Sequence, residues 1–140
     1  MIFEYSDALL LQAIRLSEQD EEGVTLIDII KISDFINHAL LTYSEFETGM
    51  KKLKNCSVIT EKEKRLVTTV KLRAWWTKKF EGNGKIGVHK GTDEILKYLN
   101  RTYKTSDEQS AEIKISKQDF DKSTQLYFKW VEDIAKQIYR

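Results

Sequence analysis

Residues 42–70 constrain this chain more than any other stretch. Thr42-Tyr-Ser-Glu45 is a capping box, in which a threonine hydroxyl and a glutamate carboxylate each take an orphan backbone amide, so a helix starts at Tyr43. Phe46, Met50 and Leu53 follow at spacings of four and three, which places them on one side of that helix and seats it against a core to about Leu53. Ser44, Glu45, Glu47, Thr48, Lys51 and Lys52 are then expected to face solvent. Residues 57–60 and 66–70 are rich in β-branched side chains and read as two short strands, joined by a charged connection over 61–65. That connection contains no glycine, so a tight two-residue turn is not expected there. A helix that feeds directly into a two-stranded ribbon is the second half of a winged helix-turn-helix.

The remainder of the chain supplies helices around this unit. Ser6 or Asp7 caps a first helix running to about Gln19, with Leu9, Ala13 and Leu16, flanked by Leu10 and Ile14, as its apolar stripe. Thr25-Leu-Ile-Asp28 is a second capping box and starts a helix at Leu26, whose apolar set is Leu26, Ile29, Ile30, Ile32, Phe35 and Ile36. Ser33-Asp34 interrupts that set and favours a break at Ser33 over one bent helix. Residues 71–80 form a fourth helix packed through Leu72, Trp75, Trp76 and Phe80, with one of the adjacent tryptophans deeper than the other. Four of the six glycines fall in residues 81–91, which read as a hinge. Thr92-Asp-Glu opens a helix anchored by Ile95, Leu96 and Leu99, and residues 102–111 read as a polar linker. Ile113 and Ile115 alternate with Lys114 in an extended segment, and Ser116-Lys-Gln-Asp119 caps a last helix from Lys117 to about Tyr139. Its stripe is Phe120, Tyr127, Val131, Ile134 and Ile138, widened by Phe128 and Trp130, so the domain wraps it on two sides or part of it is a protein interface. The fold class is therefore mainly α with a small β-hairpin: a winged helix-turn-helix over residues 1–80, a glycine-rich hinge over 81–91 and a helical C-terminal extension over 92–140.

Composition bounds the function. The chain of 140 residues is 41% apolar and 32% charged, which suits a folded domain with a real core. No apolar run approaches the roughly 20 residues that span a bilayer, and Glu4 and Asp7 precede the apolar residues 8–11, so neither a membrane partner nor a signal peptide is expected and the location is expected to be cytoplasmic. Residues 1–40 hold eight acids against Arg15 and Lys31, whereas residues 41–100 hold thirteen Lys/Arg against seven acids, an asymmetry that allows a basic face over the helix and ribbon. His38 and His89 lie in different elements without metal-ligand spacing, and the single Cys56 reads as a buried thiol, so no metal, cofactor or enzyme chemistry is expected. The Gly82, Gly84 and Gly87 spacing follows a helix and not a strand, which argues against a phosphate-binding loop.

The run 34–45 with Gly49-Met-Lys-Lys-Leu53 and the short hairpin resembles a group of small bacterial winged-helix proteins of uncharacterised function, at Asp34, Asn37-His38-Ala39, Thr42, Glu45, Gly49 and Leu53. The resemblance spans roughly residues 7–75; it departs where a glycine usually ends the helix, since this chain reads Asn55-Cys56-Ser57. It implies the fold and transfers no catalytic or ligand residue. A winged helix lays its third helix in the major groove and its wing on the backbone, which nominates Ser44, Thr48, Lys51 and Lys52 on the helix and Lys62, Lys64 and Arg65 on the wing as contacts to double-stranded DNA. The expected function is a DNA-binding transcriptional regulator, possible as a homodimer. The alternative is a protein-protein adaptor using Trp75, Trp76, Tyr127, Phe128 or Trp130.

Overall fold

The computed structural model describes residues 2–81, 86–103 and 111–138. Its elements run α1 (Tyr5–Ser17), α2 (Leu26–Asn37), α3 (Tyr43–Asn55), β1 (Ile59–Lys62), β2 (Arg65–Thr68), α4 (Val70–Trp76), a π-helical turn (Thr77–Glu81), α5 (Val88–Thr102) and α6 (Lys117–Ile138). The fold is helix-rich with one antiparallel hairpin and further helices at the C-terminal end.

Helix α1 is the hub. Residues Ala8 to Leu11, Ala13 and Ile14 are all buried, because α2 and α3, α5 and β2 each pack on it. The stripe expected from the sequence is therefore too narrow, and Leu16, assigned to it, is 49% exposed where the helix runs out past its neighbours. The helix begins one residue before Ser6: Glu4 is the N-cap, and its amide donates to the Asp7 carboxylate at 2.7 Å. Helix α2 does not break at Ser33. Ile29, Ile30, Ser33 and Ile36 share one buried face, and the small serine fits where that face packs, while Phe35 points away and is 72% exposed. Thr25 stands at the expected N-cap, but its hydroxyl donates to Asp28 at 2.9 Å instead of accepting a backbone amide.

The capping box of α3 forms as read, with Thr42 N–H donating to Glu45 Oε1 at 3.0 Å and Glu45 N–H to Thr42 Oγ1 at 3.1 Å. Phe46, Met50 and Leu53 are fully buried. Gly49 lets α3 approach α1 closely, since a Cβ there would sit 2.9 Å from Leu10 Cδ2 and 3.0 Å from Asp7 Oδ1. Between α1 and α2, Val24 pairs with Leu66 across an antiparallel bridge (N–H···O 2.8 and 3.0 Å) and adds a third member to the hairpin. The chain reaches that bridge through Gly23, whose φ of +96° and contact with Val67 admit no side chain. This order of helix, bridge, two helices and hairpin is the winged-helix topology.

The hairpin register, Ile59 to Thr68 and Lys62 to Arg65, leaves Glu63 and Lys64 as a two-residue turn. Both are left-handed (φ 52° and 62°), as a type I′ turn demands, so the tight turn that the lack of glycine argued against is present. Ser57 (φ 62°) takes the left-handed position where α3 gives way to the wing, and His38 (φ 54°) closes α2, its amide rather than its ring capping Asp34 O at 2.7 Å. A Cβ in this conformation costs roughly 1 kcal/mol.

Helix α4 and the π-turn place Leu72 and Trp76 in the core, with Trp75 and Phe80 half-buried. Helix α5 begins at Val88, a turn before the expected start, and Gly91 and Thr92 lie buried against Gln12 of α1. Helix α6 starts at the Ser116–Asp119 box as read, and Ile115 is buried in an extended segment that pairs with no strand among the described residues. The hinge reading falls partly on residues 82–85 and the linker reading on 104–110, which lie outside the described residues.

Ser57→Gly and Lys64→Gly are each expected to stabilise the domain by about 1 kcal/mol, less the extra freedom of glycine in the unfolded chain, and to raise Tm by about 3 °C in thermal unfolding. A fall in Tm for both would contradict the left-handed geometry.

Candidate nucleic-acid interface

Successive residues of a helix are turned by about 100°, so with Phe46, Met50 and Leu53 inward, Ser44, Thr48, Lys51 and Asn55 form the outer stripe of α3. Ser44, Thr48 and Asn55 are exposed, and Lys51 is half-buried beside Glu47, with their charged groups 3.6 Å apart. Asn55 was not singled out from the sequence; an amide at the last turn of a helix reads as a terminator and gives no other signal.

Lys52 corrects the sequence reading. It is 3% exposed, its ammonium 2.8 Å from Asp7 Oδ2 and donating to Ile2 O at 3.1 Å. On the helix it lies between the inward and outward faces, toward α1, and the Asp7 carboxylate that caps α1 gives it a buried partner. It does not belong to the outward face.

The other flank of α3 meets the C-terminal segment. Residues 111–117 form a groove with Tyr43, Glu47 and Lys51. Ala111 N–H donates to Asn55 Oδ1 at 3.1 Å, and Lys54 reaches both Glu61 (2.6 Å) and the Glu112 carbonyl. Glu61 on β1 also accepts from Lys114 N–H at 3.0 Å, so one carboxylate joins α3, the wing and the segment before α6. Phe120 stacks into the same corner, its ring 5.3 Å from Phe46 and 5.7 Å from Tyr43.

At the wing Lys62, Lys64 and Arg65 are exposed. Lys64 stands 3.3 Å from Asp119, whose carboxyl is held below its usual range first by hydrogen bonds from Ser116 and then by Lys64. Arg65 donates to Gly23 O at 3.5 Å, and Lys62 has no ion pair among the described residues. Among the described residues Ser44, Thr48 and Lys62 stay uncovered, while the C-terminal segment covers one flank of α3, reaches Asn55 of the outer stripe and pairs Asp119 with Lys64 at the wing tip.

The residues nominated for protein contact are scattered. Trp76 is buried (8% exposed), and Trp75 stacks on Tyr98 with ring centroids 4.0 Å apart. Tyr127 is buried and donates to Asp34; burial first, and that carboxylate second, push its hydroxyl up to about 12. Phe128 (54%) and Trp130 (42%) are exposed, the Lys31 ammonium lying 4.1 Å from the Trp130 ring centroid. Phe35 beside them, and Leu126, Val131 and Ile138 on α6, are exposed as well.

Cys56 is half-buried, and loss of solvent pushes its thiol up to about 11 against smaller opposing effects from the Val58 backbone and Lys71. Among the described residues no three His, Cys, Asp or Glu side chains converge as a metal site, and no helix is long and apolar enough to cross a membrane.

The helix-rich fold with its antiparallel hairpin beside the third helix is consistent with a winged-helix-like arrangement. No protein-family model matches it, and neither a curated protein nor a solved structure is significantly similar to it.

Replacing Lys52 with Met should cost about 3–5 kcal/mol in urea unfolding, because Asp7 would be left charged and buried. The double change Asp7→Leu with Lys52→Met should recover much of that loss; equal costs for the single and double variants would contradict the pairing. Cys56 should react with a thiol reagent at neutral pH far more slowly in the native chain than in the urea-unfolded chain.

Proposed function

We propose that this protein is a DNA-binding transcriptional regulator of winged-helix type, acting by binding rather than catalysis. The observation that carries the reading is the pair of exposed hydroxyl residues Ser44 and Thr48 on α3, with the half-buried Lys51 between Glu47 and the groove, beside the exposed Lys62, Lys64 and Arg65 of the wing. In the major groove the two hydroxyls meet base edges, the Thr48 methyl meets a thymine methyl, and Lys51 reaches a phosphate or a guanine. The wing cations neutralise backbone phosphates. Lys51 exchanges Glu47, and Lys64 exchanges Asp119, for phosphate; both pairs are solvent-exposed enough for water and salt to screen them, so each is readily exchanged. Lys52 serves the fold in this scheme and makes no DNA contact.

Phe35, Phe128 and Trp130 support a second reading, a protein-binding adaptor that keeps the scaffold without DNA affinity. Fluorescence anisotropy on a generic duplex separates the two. The regulator should bind at about 50 mM salt and weaken steeply toward 200 mM, and glutamine at Lys62, Lys64 and Arg65 together should lower the log–log salt slope by about three per protomer. Absence of binding at about 50 mM salt would remove the DNA reading and leave the adaptor.

A further inference from the structure

Helix α6 has 22 residues and is about 33 Å long, and its inward positions repeat at spacings of four and three: Phe120, Thr124, Tyr127, Val131, Ile134, Ile138. The first half of this seam is closed by the protein's own core, Phe120 being 4% and Tyr127 7% exposed. The second half is less covered: Val131 is 41% and Ile138 67% exposed while Ile134 between them is half-buried, so Val131 and Ile138 reach beyond what the other described residues cover.

The positions flanking the open half decide what fits there. Beside Val131 and Ile134 lie Phe128 and Ala135 on one flank and Trp130 and Gln137 on the other, none of them charged. Lys129, Glu132, Asp133 and Lys136 all fall on the back of the helix. On this face a charged partner would find only the margin formed by α2, where the Lys31 ammonium lies over the Trp130 ring, whereas a copy of the same face sets apolar side chains against apolar side chains. The area agrees. Aromatic side chains present about 150–250 Å² each, so the exposed parts of Phe128, Trp130, Val131 and Ile138 together leave roughly 400 Å² of apolar surface per protomer. Two copies with their polar margins approach the roughly 1,000 Å² of a specific interface.

We propose that the projecting half of α6 is a homodimer interface, in which two copies pair antiparallel about a two-fold axis through the open seam. Such an isologous contact closes on itself and stops at two copies. The proposal is independent of DNA binding.

Sedimentation equilibrium on the full chain tests it. The protein should be dimeric at about 50 µM, and raising salt from about 50 to 500 mM should leave the dimer intact, because apolar burial and not ion pairing holds it. Val131→Asp and Ile138→Asp, at exposed positions, should each weaken the dimer by roughly a hundredfold or more while the far-UV spectrum holds. Lys136→Glu, on the back, should not weaken it. A monomeric wild type, a dimer indifferent to both aspartates, or one that salt dissolves would overturn the assignment.

Discussion

The buried pair between Asp7 and Lys52 sets the rest of the structure. The aspartate caps α1, the lysine sits on the flank of α3, and Gly49 removes the side chain that would hold the two helices apart. Two charges taken out of water constrain geometry more than they add stability, since each is tolerated only at the other's position. The rotation of α3 about its own axis follows from that. Phe46, Met50 and Leu53 turn inward, and Ser44 and Thr48 have nowhere to face but out.

A second fixed point determines where the wing lies. The Val24–Leu66 bridge holds β2 against the turn before α2, and Glu61 gathers Lys54 from α3 and the Lys114 amide from the segment before α6. The hairpin is thus held at its base on both sides while its tip extends into solvent. The segment before α6 helps to fix the spacing between α3 and the wing, although it lies far along the chain from both.

Much of this was legible in the sequence because local rules wrote it. The boxes at Thr42–Glu45 and Ser116–Asp119 put helix starts within a residue, and the spacing of Phe46, Met50 and Leu53 gave the inward face. What was not legible depended on partners distant in the chain. Amphipathic reasoning sends every lysine of α3 outward, and only the position of Asp7 draws Lys52 inside. Helix α1 reads as one-sided until α5 closes its other side, and Gly91 reads as a hinge until Gln12 is seen to need a bare backbone beside it. Trp76 and Trp75 were indistinguishable by pattern; the stack on Tyr98 separates them. At the wing the turn rule was outweighed, because the strand register leaves only two residues to cross and the chain accepts left-handed Glu63 and Lys64.

Those left-handed residues sit at the joints of the domain: His38 between α2 and α3, Ser57 between α3 and the wing, Glu63 and Lys64 at the wing's end. Glycine would occupy each with less strain, yet glycine also roams a broad range of dihedral angles, whereas a residue with a β-carbon has one narrow well there. Each joint therefore has fewer backbone states open to it than a glycine would leave, which narrows the range of angles at which the ribbon can stand to the helix.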